Sequence, residues 1–307
     1  MIDLASGKSF PTSIDNIMGE RRFNEWWLDE ECVATIEPAA GRIESHVAPL
    51  VEQIRQAKRL ERTPEERGDL ALLMAFQFIR TKKIRLMPER IQAQLRRQVA
   101  KMGFDPSKIK GLPELGREAL KKQHAELQIN GLNDFVSMLA DKQMFLMTAP
   151  EGASFYLGDH PVVLHSDEER NGRLGGLGLG VPYVQIYLPL SADLMLCAYC
   201  PAVLGQLMKV RDKGMAAGQG MMLRALMDGK VSAQRMKAIV DGAKEFDEIT
   251  PMIDAIRIGQ PLPINREQVQ CYNSLQAFYA HRFLVDPDGQ FDVAREMVGE
   301  REREEGS

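Results

Sequence analysis

The hydrophobic period of this chain changes near residue 140 and changes back near residue 201, and that pattern restricts the folds open to it. Between residues 40 and 139 the apolar positions recur at steps of three and four, the spacing of helices that bury one face. From Gln143 the segments MFLMTA, SFYLGD, VVLH, VQIYLPLS and LMLCAYC have the alternation and β-rich composition of strands. The links PEG and SAD are short turn sequences, which favour antiparallel pairing, and beyond Pro201 the helical pattern returns. Elements gathered in blocks point to an α+β fold, predominantly helical, with a central helix bundle packed on a small antiparallel sheet. The expectation is a single domain over 1–307: 1–142 mainly helical, 143–200 antiparallel strands, 201–295 helical and 296–307 a frayed acidic tail.

Within that frame, residues 40–58 place Ile43, Val47, Leu50, Val51 and Ile54 on one apolar stripe. Thr63, Pro64 and Glu66 carry the signature of a helix start, with a hydroxyl cap, a proline at the first helical position and an acid three residues after the cap. The helix so begun is expected to run to about Met87. It is apolar round most of its circumference between Leu70 and Ile79, which makes it the central buried helix. Residues 88–102 read as an exposed basic helix, 114–127 and 132–139 as further helices, 203–226 and 232–239 as later ones, and 266–283 as the last. Residues 23–35 read as helix-like.

Composition narrows the function classes. Apolar residues at 44% and charged residues at 27% belong to an ordinary globular chain, and a net charge of −4 does not advertise a wholly basic nucleic-acid-binding surface. A local basic face remains open, because Arg80, Lys82, Lys83, Arg85, Arg90, Arg96, Arg97 and Lys101 fall in one segment. The start MIDLASGKSF lacks the pattern of a secretory signal, and no window reaches the roughly 20 apolar residues of a membrane helix, so a cytoplasmic location is expected. In that compartment the four cysteines read as free thiols, and the CxxC of Cys197 and Cys200 lacks the second half of a zinc ribbon.

The strongest candidate site is the turn in FYLGDHPVVLH. Pro161 biases His160 towards extended backbone, which places Asp159 and His160 at a strand end, where a carboxylate and an imidazole can act as acid, base or ligand. Both are candidate catalytic residues, and the competing reading of Asp159 is a carboxylate that binds nearby backbone N–H groups. His165 is a candidate binding residue five positions on. A divalent metal held by these three is a weaker option, since no ligand-spaced motif supports it, and no cofactor motif is identified. Gln77 and Arg80 lie three apart on the buried helix, where a guanidinium fork suits a carboxylate or a phosphate, and the competing reading is an internal ion pair, with Asp159 as one partner. NGRLGGLGLG is dense in glycine but matches no nucleotide fingerprint and reads as a hairpin loop. The methionines between Met208 and Met236, among them Met215, Met221, Met222 and Met227, read as core packing or as an adaptable partner surface.

The blocks IEPAAGRIESHVAPL, MAFQFIRTKKIR, ADKQMFLMTAPEGASFYLGDHPVVL, IYLPLS and VQCYNSLQAFYAHRFLV resemble, in order and spacing, those of the bacterial domain of unknown function 4238 family. The family's frequent Ser-Asp-Asn-Pro turn stands here as Gly158, Asp159, His160 and Pro161. Its usual opening block, His-His-Tyr-Val-Pro-Gln-Phe-Tyr-Leu, has no counterpart in this sequence. The resemblance implies an intracellular bacterial or phage-borne protein and names no reaction. By analogy it suits a hydrolase-like or anion-binding protein acting on a phosphate-bearing or nucleic-acid ligand. The alternatives are a non-catalytic protein with a protein partner, whose Arg and Asp cluster is structural, and a binder of a small anionic metabolite. Oligomeric state is left open, and no membrane association is expected.

Overall fold

Thr63 starts its helix as the sequence predicts. In the computed structural model, which describes residues 1–13, 19–28, 31–109, 115–166, 178–228, 232, 234 and 249–305, the Thr63 hydroxyl accepts from the Glu66 amide at 3.1 Å. The Glu66 carboxylate reaches back to accept from the amides of Glu61 and Arg62 at 3.0 and 2.5 Å, tying down the entering loop. Helix α1 spans Glu37–Ala57 and α2 spans Pro64–Ile79. The buried residues of α2 include Leu70, Ala71, Leu73, Met74, Ala75, Phe76, Phe78 and Ile79, so it is the core helix its composition implies.

α2 does not continue to Met87. Thr81 leaves the helix with φ −87° and ψ 157°, and the short α3 (Lys82–Arg85) and α4 (Met87–Lys101) follow in new directions. The break has a tertiary cause: the Thr81 hydroxyl lies 2.7 Å from His160 Nδ1 on a distant segment. Helix α5 (Arg117–Glu126) runs through a π turn at Leu127–Gly131 into α6 (Leu132–Ala140). After the sheet come α7 (Pro201–Met227), α8 (Ile249–Ile258), α9 (Arg266–Tyr279) and α10 (Asp292–Glu305). The last of these crosses the expected boundary at 296, so the tail is helical as far as Glu305.

The strands are β1 (Ile2–Asp3), β2 (Lys8–Ser9), β3 (Glu25–Trp27), β4 (Val33–Thr35), β5 (Gln143–Thr148) and β6 (Leu157–Gly158), then β7 (Val163–His165), β8 (Gln185–Ser191), β9 (Leu194–Tyr199), β10 (Leu262–Pro263) and β11 (Phe283–Val285). The main sheet has the order β10-β5-β9-β8-β7 and is antiparallel except for the parallel β10–β5 pair. Its alternation sorts two cores. Leu146, Leu164, Ile186 and Leu196 pack against α1, α2 and α6, while Phe145, Met147, Tyr187 and Cys197 pack against residues of α7, α8 and α9. Helices therefore cover both faces, and the fold is a helix-rich α+β arrangement. A second antiparallel sheet, β2-β1-β11-β6, packs Ile2, Tyr156 and Leu284 against Ala277 of α9 and Ala294 of α10.

Two further expectations are corrected. The last helix was expected to include Phe283, but α9 ends at Tyr279 and Phe283 begins β11. The described residues of 23–35 form no helix: β3 and β4 make a two-stranded antiparallel pair with Trp27 opposite Val33, as their aromatic and β-branched residues favour. The Gly-rich insert falls mostly on 167–177, outside the described residues, as does nearly all of the expected helix at 232–239.

Candidate functional site

Asp159 sits where β6 meets the end of α9. Its carboxylate accepts from the amides of His281, Arg282 and Phe283 at 2.6, 2.9 and 3.1 Å, and its own amide donates to the Phe283 carbonyl at 3.0 Å. Three consecutive amides aimed at one carboxylate end the helix and launch β11. Beside it, Gln276 accepts from the Gly158 amide at 3.0 Å and donates to the Pro161 carbonyl at 2.9 Å, clamping both flanks of the turn. A Cβ at Gly158 would lie 3.1 Å from that Gln276 oxygen, which accounts for glycine there.

His160 points into the core rather than a pocket. It is 1% exposed, held by Thr81, stacked on Tyr279 at 6.1 Å and tilted against Phe78 at 5.3 Å. Burial first, and the Lys83 charge second, bring its pKa down to about 3, so the ring is neutral at pH 7. Arg80 turns the other way. It pairs with Glu44 of α1, with its guanidinium 4.7 Å from the Phe76 ring centre, and its side chain is 31% exposed. Arg80 thus forms an ion pair, as its competing reading has it, but with Glu44 and not with Asp159, whose carboxylate is taken by three amides. Gln77 is half-buried three residues before Arg80, and His165 is half-buried at the end of β7, opposite Gln185. The five residues thus do not share one cluster. Among the described residues no group of three His, Cys, Asp or Glu side chains is placed to hold a metal ion.

The other candidates resolve similarly. Cys197 is buried in the sheet, where burial pushes its thiol pKa up, and Cys200 is half-buried beyond the strand end. Met215, Met221 and Met227 are exposed on α7, and Met222 is half-buried.

A different region keeps two arginines and an indole largely exposed. The face of the β3–β4 hairpin that carries Glu25, Trp27, Val33 and Thr35 looks across a cleft of about 600 Å³ at Arg117, Glu118 and Lys121 of α5, with Arg21 and Arg22 at one edge. Arg117 and Lys121 are four apart and so share one helix face. The walls carry four cations against two carboxylates. Arg22 lies 3.7 Å from Glu25 and Lys121 lies 3.1 Å from Glu118, yet the side chains of Arg22 and Arg117 stay 79% and 78% exposed. Lys121 is the first cause of the lowered Glu118 pKa, and the Trp27 amide also bonds that carboxylate, joining hairpin to helix.

The cleft is buttressed from behind by α3. Arg85 is buried, its Nη2 donates to the Phe23 carbonyl at 2.5 Å, and its guanidinium lies 3.4 Å from the Phe23 ring centre. Burial lowers even this guanidinium, to about 10. His124 of α5 donates from Nε2 to the Ile79 carbonyl at 2.7 Å, which leaves Nδ1 as acceptor for Arg85 and Gln128 at 3.2 and 3.1 Å. Burial brings His124 down to about 4, so it serves as a neutral acceptor. The Gln128 side-chain amide oxygen, in the π turn, is buried without a partner among the described residues.

The basic surface continues past the cleft. Glu20 lies between Lys82 at 2.8 Å and Arg117 at 3.8 Å. Beyond Lys82, the ring of His281 is repelled in its protonated form by Arg90, Lys82 and Lys83; burial is the first cause of its lowered pKa, and Asp159 opposes the shift.

Fold and surface together define a helix-rich α+β protein with a basic cleft beside an aromatic hairpin. A family model described as a protein of unknown function (DUF4238) matches residues 1–289, and the chain belongs to that family. No curated protein and no solved structure matches it. Among the described residues no helix is long and apolar enough to cross a membrane.

Proposed function

We propose that this protein binds a phosphate-bearing anion in the cleft between the β3–β4 hairpin and α5. The observation that carries the reading is the excess of cations on the cleft walls, two of them largely exposed, continued through Lys82 towards Lys83, Arg90 and His281. Arginine forks suit phosphate oxygens, and a concave site lined by one sign of charge concentrates anions. Binding is favoured over turnover at the Asp159 turn, because Asp159 is occupied by three amides and His160 is buried and neutral.

Calorimetric titration with tripolyphosphate at low salt tests this. Saturable binding is expected, weakened by added salt and by on the order of tenfold in an Arg22→Ala/Arg117→Ala variant. A flat titration, or binding indifferent to both arginines, overturns the reading. The alternative, a protein that docks on a partner, draws support from the exposure of Met215, Met221 and Met227 along α7.

A further inference from the structure

We infer that the ligand of this cleft is a nucleotide, free or within a single strand, with its base stacked on Trp27 and its phosphate met by Arg22 and Arg117. The inference rests on the anion reading above and adds the aromatic half of the ligand. A site for a simple anion needs only charge. Here the face opposite the cationic helix is an indole, 53% exposed, beside Val33, 43% exposed. A large aromatic side chain left open within a cleft is an unused stacking platform, and flat faces flanked by arginines recur where single-stranded nucleic acids bind.

The backbone holds that platform in place. Trp27 lies opposite Val33 in the antiparallel pair, and its amide is fixed to Glu118 of α5, so the indole and the α5 cations are set in one frame. Arg22 sits at φ 56°, a left-handed conformation uncommon for a residue with a side chain, at the turn that leads into β3. Strained backbone of this kind persists where surrounding contacts enforce it and clusters at ligand clamps. The cleft, at about 600 Å³, lies within the roughly 300–1,000 Å³ of small-molecule sites, room for one nucleotide.

The chain has two tryptophans, Trp26 and Trp27, and both line the cleft, so intrinsic tryptophan emission reports this site alone. The full chain is titrated with tripolyphosphate, with a mononucleotide and with an eight-residue oligothymidine, following emission and, in parallel, heat. Nucleotide and oligonucleotide are expected to quench saturably, whereas tripolyphosphate binds with little quenching. Trp27→Leu should weaken nucleotide binding by about 5- to 100-fold and tripolyphosphate binding far less, while Trp27→Phe keeps most of the nucleotide affinity. Equal mononucleotide and oligonucleotide affinities identify a free nucleotide as the ligand, and much tighter oligonucleotide binding identifies a strand. If tripolyphosphate binds as well as nucleotide and Trp27→Leu weakens neither, the stacking inference falls and the anion reading stands. If no probe binds, both fall.

Discussion

The Asp159 turn and the hairpin cleft both combine charge with aromatic rings, and they use them in opposite ways. At the turn, the carboxylate holds three amides, Gln276 clamps the flanking backbone and His160 packs between Phe78 and Tyr279. At the cleft, Arg22, Arg117 and Trp27 keep most of their surface in contact with solvent, while the supporting bonds are made behind them by Arg85 and His124. A polar residue at a strand end is therefore not yet a site. The useful test is whether its hydrogen-bonding capacity is already committed to the fold, and that test separates the two regions.

Acid should expose what the two regions share, and it is the largest effect expected. His160 at the turn and His124 behind the cleft are both held below the ordinary 6.5, at about 3 and about 4. The unfolded chain therefore takes up protons that the folded chain refuses. Stability is fully present above about pH 6.5 and is lost as pH falls towards the folded values, on the order of 5 kcal/mol for both rings by about pH 4.5. Urea denaturation at stepped pH measures the slope, and His160→Gln and His124→Gln should each remove about half of it. A stability that stays flat from pH 7 to 5 would show that the rings are not buried and neutral as described.

Asp159→Ala is the sharper test of the turn itself. It leaves three amides without their acceptor at the junction of α9 and β11, which should cost about 3 kcal/mol or more. Thermal melts and urea curves give the number. A change below about 1 kcal/mol would mean that water replaces the carboxylate easily, and would return Asp159 to the list of groups available for chemistry.

Much of this fold is legible in local sequence. Thr63, Pro64 and Glu66 announce α2 because a cap is a local device, and the alternation around Leu146, Ile186 and Leu196 announces a two-faced sheet because side-chain direction repeats every two residues. Two of the misreadings, both of helix ends, share a different cause. α2 stops at Ile79 because Thr81 is taken by His160, 79 positions away, and α9 stops at Tyr279 because Asp159 takes amides more than 120 positions away. No local pattern carries either event. The cleft did leave a local signal, Arg21 and Arg22 followed closely by the only two tryptophans, but it is weak until the hairpin brings α5 opposite them. Arg80, by contrast, stands out in sequence as a cation on an apolar helix, and Glu44 of α1 becomes its partner only in the fold.

The smallest effect expected is therefore informative. Arg80 and Glu44 form a partly exposed pair, with side chains 31% and 48% exposed, and such pairs contribute less than about 1 kcal/mol. Arg80→Ala should lower stability by no more than that, with some of the loss from the ring contact with Phe76 rather than from the charge. It should also leave tripolyphosphate and nucleotide affinities unchanged while Arg117→Ala weakens both, since Arg117 lines the cleft and Arg80 is engaged with α1. Calorimetry on the two variants side by side gives the comparison. Loss of binding in Arg80→Ala with affinity intact in Arg117→Ala would reverse the assignment and move the anion site from the hairpin cleft to the end of α2.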